Sequence, residues 1–158
     1  MSRFRPQVAV LCIVLLLGLG TLVRGGVKND KEKPKDAPTL DDRTATLTEV
    51  AGGKEKQTKV DLKYSLKVKG YFDADGFNIE EFDMDGPAAK LTDAAGTGQT
   101  AILDKGDIIV AVDGKRIKSA QDYVKAINGA ADHTKIKLKI RDVRSGQEAE
   151  FLADAVKR

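Results

Sequence analysis

The residues of this chain with most chemical potential are acids. Asp73-x-Asp75-Gly76, followed by Ile79, Glu80 and Glu81, has some of the oxygen spacing and the glycine turn by which a short loop wraps a calcium ion. Such a loop needs another acid or amide two residues before Asp73, where Tyr71 stands, and its apolar position after the glycine is out of register by one. The run therefore reads as a surface turn. Asp83-Met84-Asp85-Gly86 reads as a second acidic turn, without the Asp-Thr/Ser-Gly of an aspartate-dependent hydrolase. His133, the one histidine, falls in a loop after Gly129, with no serine or cysteine placed as a nucleophile. Cys12, the one cysteine, lies in an apolar run and lacks the small residue a lipidation signal wants before it. The rest of the chain, without cysteine, has neither disulfide nor thiolate chemistry. Gly96-Thr97-Gly98 lacks the lysine and the strand-to-helix setting of a phosphate loop. These residues point to no catalysis, metal or cofactor.

The elements around them are easier to read. From Val60 the pattern has a period of two: Val60, Leu62, Tyr64, Leu66 and Val68 point one way, and Asp61, Lys63, Ser65, Lys67 and Lys69 the other. A strand over Phe77 to Phe82 comes after the turn at Asp73 to Gly76. Gly86-Pro87-Ala88-Ala89-Lys90-Leu91 reads as a short helix, because proline is pre-set for a first helical turn. Gly106-Asp107 then turns the chain into Ile108 to Val112, a β-branched run suited to a strand buried on both faces, and Asp113-Gly114 signals a tight hairpin turn. Ser119 offers an N-cap to a helix with apolar Ala120, Tyr123, Val124 and Ile127, stopped by Asn128-Gly129. Lys135, Lys137, Lys139 and Arg141 alternate with Ile136, Leu138 and Ile140, as in a strand with one wet face and a charge-protected edge. Val143-Arg144-Ser145-Gly146 turns into a closing strand over Gln147 to Leu152.

The order small residue-Pro-Ala-Ala, loop, Gly-Asp-Ile-Ile-Val-x-Val-Asp-Gly, then a serine-capped amphipathic helix, resembles a PDZ domain of the bacterial type over about residues 59–158. The resemblance implies an α+β, mostly β fold: a partly open barrel of five to six short strands with two helices. It also implies a non-catalytic function. In this family a peptide adds as an extra strand in one groove, its side chains meeting the longer helix. Here that helix lining maps to Ala120, Val124 and Ile127, which share a face at i, i+4 and i+7. The family holds a ligand's terminal carboxylate on backbone N–H groups of a hydrophobic-Gly-hydrophobic loop. Spacing from Pro87 places this loop at Leu66, Lys67 and Val68, with lysine where glycine is usual, while a second register, Lys69-Gly70-Tyr71-Phe72, recovers a glycine. In the first register Lys67 or Lys63 could offset carboxylate charge, and the ligand is a C-terminus or an internal peptide.

Composition sets the remaining bounds. Three arginines and no acid lie in residues 1–25; without them 24 basic side chains face 24 acidic ones, a neutrality that argues against the basic face a nucleic-acid partner needs. Arg3 and Arg5 precede an uncharged apolar run from Val8 to Val23. Residues 1–25 thus read as a signal peptide or a membrane anchor, the run being long for the first and short for a span of about 20 residues. The protein is expected to be exported, periplasmic or secreted, touching the membrane only through that segment. Residues 26–58, polar and carrying Pro34, Pro38, Gly52 and Gly53, read as a disordered linker. The expected function is peptide or protein binding outside the cytoplasm. Alternatives are a regulatory partner or fragment of an exported PDZ-containing serine protease system, and a structural envelope protein whose groove is closed.

Overall fold

The structure, a computed structural model, describes residues 32–130 and 135–158. The expectations for residues 1–31 and for His133 lie outside the described residues. Thirteen strands are described: β1 (Thr39–Asp41), β2 (Thr46–Ala51), β3 (Lys54–Lys59), β4 (Tyr64–Ser65), β5 (Val68–Phe72), β6 (Phe77–Phe82), β7 (Leu91–Asp93), β8 (Thr100–Ala101), β9 (Ile108–Val112), β10 (Lys115–Arg116), β11 (Lys135–Arg141), β12 (Glu148–Asp154) and β13 (Val156–Lys157). One α-helix, α1 (Ala120–Gly129), and one 3-10 turn, Pro87–Ala89, accompany them. Eleven strands form one sheet in the order β3-β2-β1-β5-β6-β9-β11-β12-β7-β8, with β10 paired to β9, and its two ends do not meet. β13 pairs with β4 apart from it.

The core lies where α1 packs on the inner face of this curved sheet. Phe77, Ile79, Ile109 and Val112 from the sheet, and Tyr123 and Ile127 from α1, are each at most 1% exposed. All five residues of β9 are buried, as its unbroken apolar run requires. β9 turns into β10 at Asp113 and Gly114, whose φ values of 47° and 75° give the doubly left-handed turn that suits a twisted hairpin. Ser119 caps α1 by accepting the Asp122 N–H at 3.2 Å, and its hydroxyl donates to Asp122 Oδ2 at 2.9 Å.

Four expectations change. The linker expected over residues 26–58 contains three strands: β2 and β3 make a hairpin across Gly52 and Gly53, and β1 joins it to β5. Gly52 and Gly53 have φ values of 58° and 75°, so glycines that suggest a flexible linker form a hairpin turn. β3 is exposed along its length, and the hairpin holds because β1 docks, with Leu40 wholly buried and Leu47 packed on the core. The domain therefore begins before residue 59. The first of the two expected helices is only the 3-10 turn, since Leu91 already belongs to β7. The period-two run from Val60 is broken: Ser65 is buried, and Lys67 has a φ of 62°, which ends β4 and re-aims the chain into β5. Finally β11 is no edge. It lies between β9 and β12, and its basic row is paired with acids of β12: Lys137 with Glu150 at 3.2 Å, Lys139 with Glu148 at 2.8 Å and Arg141 with Glu148 at 2.9 Å.

Ile109 and Val112 are fully buried in the strand that joins both halves of the sheet. Ile109→Ala and Val112→Ala are each expected to lower unfolding free energy by about 2 to 4 kcal/mol, from lost transfer energy and the cavity left behind. Urea denaturation measures it, and unchanged midpoints would refute this core.

Candidate functional site: a carboxylate cradle beside α1

The chain between β4 and β5 makes a sharp corner at Leu66, Lys67 and Val68. Leu66 and Val68 are wholly buried and anchor it from inside, and Lys67 takes the left-handed conformation between them. A side chain there costs roughly 1–2 kcal/mol, which is why glycine is the usual residue in such a corner. Gly86, before the 3-10 turn, permits the bend: a Cβ on it would stand 2.7 Å from Lys67 Cβ. The corner turns backbone N–H groups inward. Leu66 N–H donates to Asp42 Oδ2 at 2.9 Å and Val68 N–H to Asp42 Oδ1 at 2.8 Å. Ser65 Oγ donates to Oδ1 at 3.1 Å and accepts the Lys67 N–H at 3.0 Å. Tyr123 OH, reaching from α1, donates to Oδ2 at 2.9 Å.

Asp42 is thus 0% exposed and receives four hydrogen bonds. Burial pushes its carboxyl above the ordinary range, and the N–H groups of Leu66 and Val68 with the hydroxyls of Tyr123 and Ser65 pull against that rise. Burial, together with the neighbouring Asp42 charge, raises the Tyr123 phenol well above its ordinary value, so it stays a donor. Its ring is fixed by Phe77 at a centroid distance of 5.0 Å and Phe72 at 6.3 Å. The far end of α1 is tied to the incoming chain: Asn128 Oδ1 accepts the Lys63 N–H at 2.7 Å, and Asn128 Nδ2 donates to Asp61 O at 2.6 Å.

The strand bearing Asp42 lies along β5. Thr39 pairs with Tyr71, Leu40 with Gly70 and Asp41 with Lys69, antiparallel. Asp42 N–H donates to Val68 O and Phe72 N–H to Pro38 O, each at 3.0 Å, extending the ladder at both ends. Leu40 is 0% exposed, within the cluster that holds Val68, Phe72, Ala120, Tyr123 and Ile127. Past Asp42 the chain is held by Arg43, which meets Asp41 and Glu81 at 3.0 Å and Asp83 at 3.5 Å.

Among the residues expected from sequence, Leu66, Lys67 and Val68 form this corner, and Ala120 and Ile127 are buried in α1, with Val124 half-buried against the core. Gly70, the basis of the second register, belongs to β5 itself, where a Cβ would come within 2.0 Å of Asn78 O at a bulge. It serves that close approach, and Lys69 to Phe72 are strand. Lys63 is engaged through its backbone by Asn128. Sequence reasoning missed Asp42 and Leu40, and gave Tyr123 only a packing role. Nothing in the local sequence marks Asp42 for burial, since Leu91-x-Asp93 has the same pattern with its acid in solvent. The Asp73 loop is a turn in which Asp73 Oδ1 accepts the N–H groups of Asp75 and Gly76, at 2.8 and 3.1 Å. A separate cleft of about 240 Å³, lined by Leu91, Ile102, Ile140 and Phe151 among others, includes no cradle residue.

Residues 98–142 match the family model described as PDZ domain, a span that holds β9, α1 and β11 but not the corner at Lys67 or Asp42. No curated protein matches the chain.

Tyr123→Phe keeps the ring packing and removes one donor from a buried carboxylate. It is expected to cost about 1.5 to 3 kcal/mol in urea unfolding, the range for hydrogen bonds to charged groups. Lys67→Gly relieves the left-handed strain and adds chain entropy to the unfolded state, roughly 0.4–1 kcal/mol, for a net gain of zero to about 1.6 kcal/mol. Lys67→Ala keeps the strain and gains nothing; a midpoint for Lys67→Gly below that of Lys67→Ala would remove strain from the account.

Proposed function

We propose that this chain, a PDZ-domain protein, is a non-catalytic module that binds peptides or protein segments outside the cytoplasm, adding the ligand as a strand along β5 with side chains against α1. The match of residues 98–142 to the PDZ-domain model supports this reading, because PDZ domains bind peptides or protein segments. The observation that carries the rest is the corner at Leu66 and Val68, whose N–H groups converge on one carboxylate at 2.9 and 2.8 Å beside a strand that already accepts an antiparallel partner. Strand addition supplies main-chain hydrogen bonds, and a carboxylate on inward-turned N–H groups fixes the register. Export is supported by the sequence alone, through Arg3, Arg5 and the apolar run from Val8 to Val23. The partner's identity as an exported protease belongs to the same reading and rests on the resemblance.

A second reading has an observation behind it. Leu40 and Asp42 fill the groove from within the chain and are wholly buried, as the closed groove of a structural protein would be. Binding decides between the two. Val124→Asp places a charge where an apolar ligand side chain must lose water. In a peptide-library capture the parent is expected to retain ligands and Val124→Asp to lose at least tenfold in affinity with little change in unfolding midpoint. Equal capture by both would place the site elsewhere.

A further inference from the structure

We propose that Pro38–Asp42 is a built-in competitor for the groove, and that ligands are segments presenting a carboxylate two residues after an apolar side chain. This rests on the binding reading proposed for the groove and adds both the ligand class and its control. Position 42 is internal, because the chain runs on through Arg43 to β2, so it has no terminal carboxylate to offer. Its side chain supplies one instead. The Asp42 main chain donates to Val68 O while its carboxylate turns back onto Leu66 N–H and Val68 N–H, so a single residue provides both the last ladder bond and the anion.

Leu40, two residues earlier, takes the apolar position opposite Gly70 and is wholly buried. Asp41, between them, faces away and meets Arg43 at 3.0 Å. The same cradle cannot hold a second carboxylate, since the N–H groups of Leu66 and Val68 are already taken, nor can a second strand pair with the edge of β5 that β1 occupies. An incoming ligand must therefore displace β1. β1 is short, its three ladder pairs with β5 extended by one hydrogen bond at each end, and of the hairpin that displacement would carry away with it β3 is exposed along its length and β2 half-buried. That combination of a specific anchor and a thin attachment makes exchange feasible.

A reversible lock tests this in the full chain. Asp41 and Lys69 face each other at a pair that does not exchange ladder hydrogen bonds, where antiparallel Cα atoms lie about 4.5 Å apart, within disulfide reach. Asp41→Cys with Lys69→Cys, in a Cys12→Ser background, ties β1 down when oxidised and frees it when reduced. The probes are three fluorescent peptides. One is Ala-Pro-Thr-Leu-Asp-Asp-Arg-Thr with an amidated end, one is Ala-Pro-Thr-Leu-Asp-Ala with a free end, and the third is that second peptide amidated. The first two are expected to bind the reduced protein at least tenfold more tightly than the oxidised, and Asp42→Ala at least tenfold more tightly than the parent. The third is expected to bind at least tenfold more weakly than the second. Equal binding to oxidised and reduced protein, still abolished by Val124→Asp, would overturn the competitor and leave the binding reading intact. Equal binding of the free and amidated Ala-ended peptides would overturn the carboxylate requirement. No binding by any folded variant would overturn both readings and favour the closed groove.

Discussion

A carboxylate wholly removed from water is the constraint on which this structure turns. An ionised group in that position is tolerated only when its oxygens are met by donors. Asp42 meets four, from two separate parts of the chain: Ser65, Leu66 and Val68 around the corner between β4 and β5, and Tyr123 in the middle of α1. Each of those parts is positioned by something else. The corner depends on Lys67 accepting a left-handed backbone and on Gly86 leaving room, the phenol on Phe72 and Phe77, and the helix on the Ser119 cap and the Asn128 clamp. The acid thus joins the first strand, the middle of the sheet and the helix in one polar junction inside an otherwise apolar core.

The arrangement is one of donors converging on a single carboxylate. Its donors are backbone amides and hydroxyls aimed at a carboxylate, and the phenol is held protonated by burial and by the charge it serves. Lys67 holds at the corner a left-handed backbone that glycine would hold with less strain. The ion pairs of β11 and β12, and of Arg43 with Asp41, Glu81 and Asp83, lie on wet faces where water and salt screen them. They steady the sheet surface and Arg43 holds the chain beyond the cradle.

Elements with a local cause were legible from sequence. β9 arises from a β-branched run, its turn from Asp113-Gly114, the start of α1 from Ser119, and the inward face of β11 from strict alternation. The corner at Leu66, Lys67 and Val68 was placed by spacing from Pro87. The segment of residues 39–59 was not legible, because its residues have little apolar character of their own. Its strands exist by pairing, and the glycines that shape its hairpin look the same in a linker. The misplaced edge at β11 has the same cause: alternation reports which face is wet, and strand order is decided by partners far away in the chain.

The amino-acid order alone therefore settles the periodic and punctuated part of the molecule, where side-chain volume, branching, a cap or a turn dictates the local backbone. It took the assembled fold to lay β1 on β5 and to set Asp42 in the cradle beside Tyr123, 81 residues away. The physical reason is that an acid in a polar stretch carries no local mark of burial. Its place is set by donors that meet only once the sheet and the helix have been brought together.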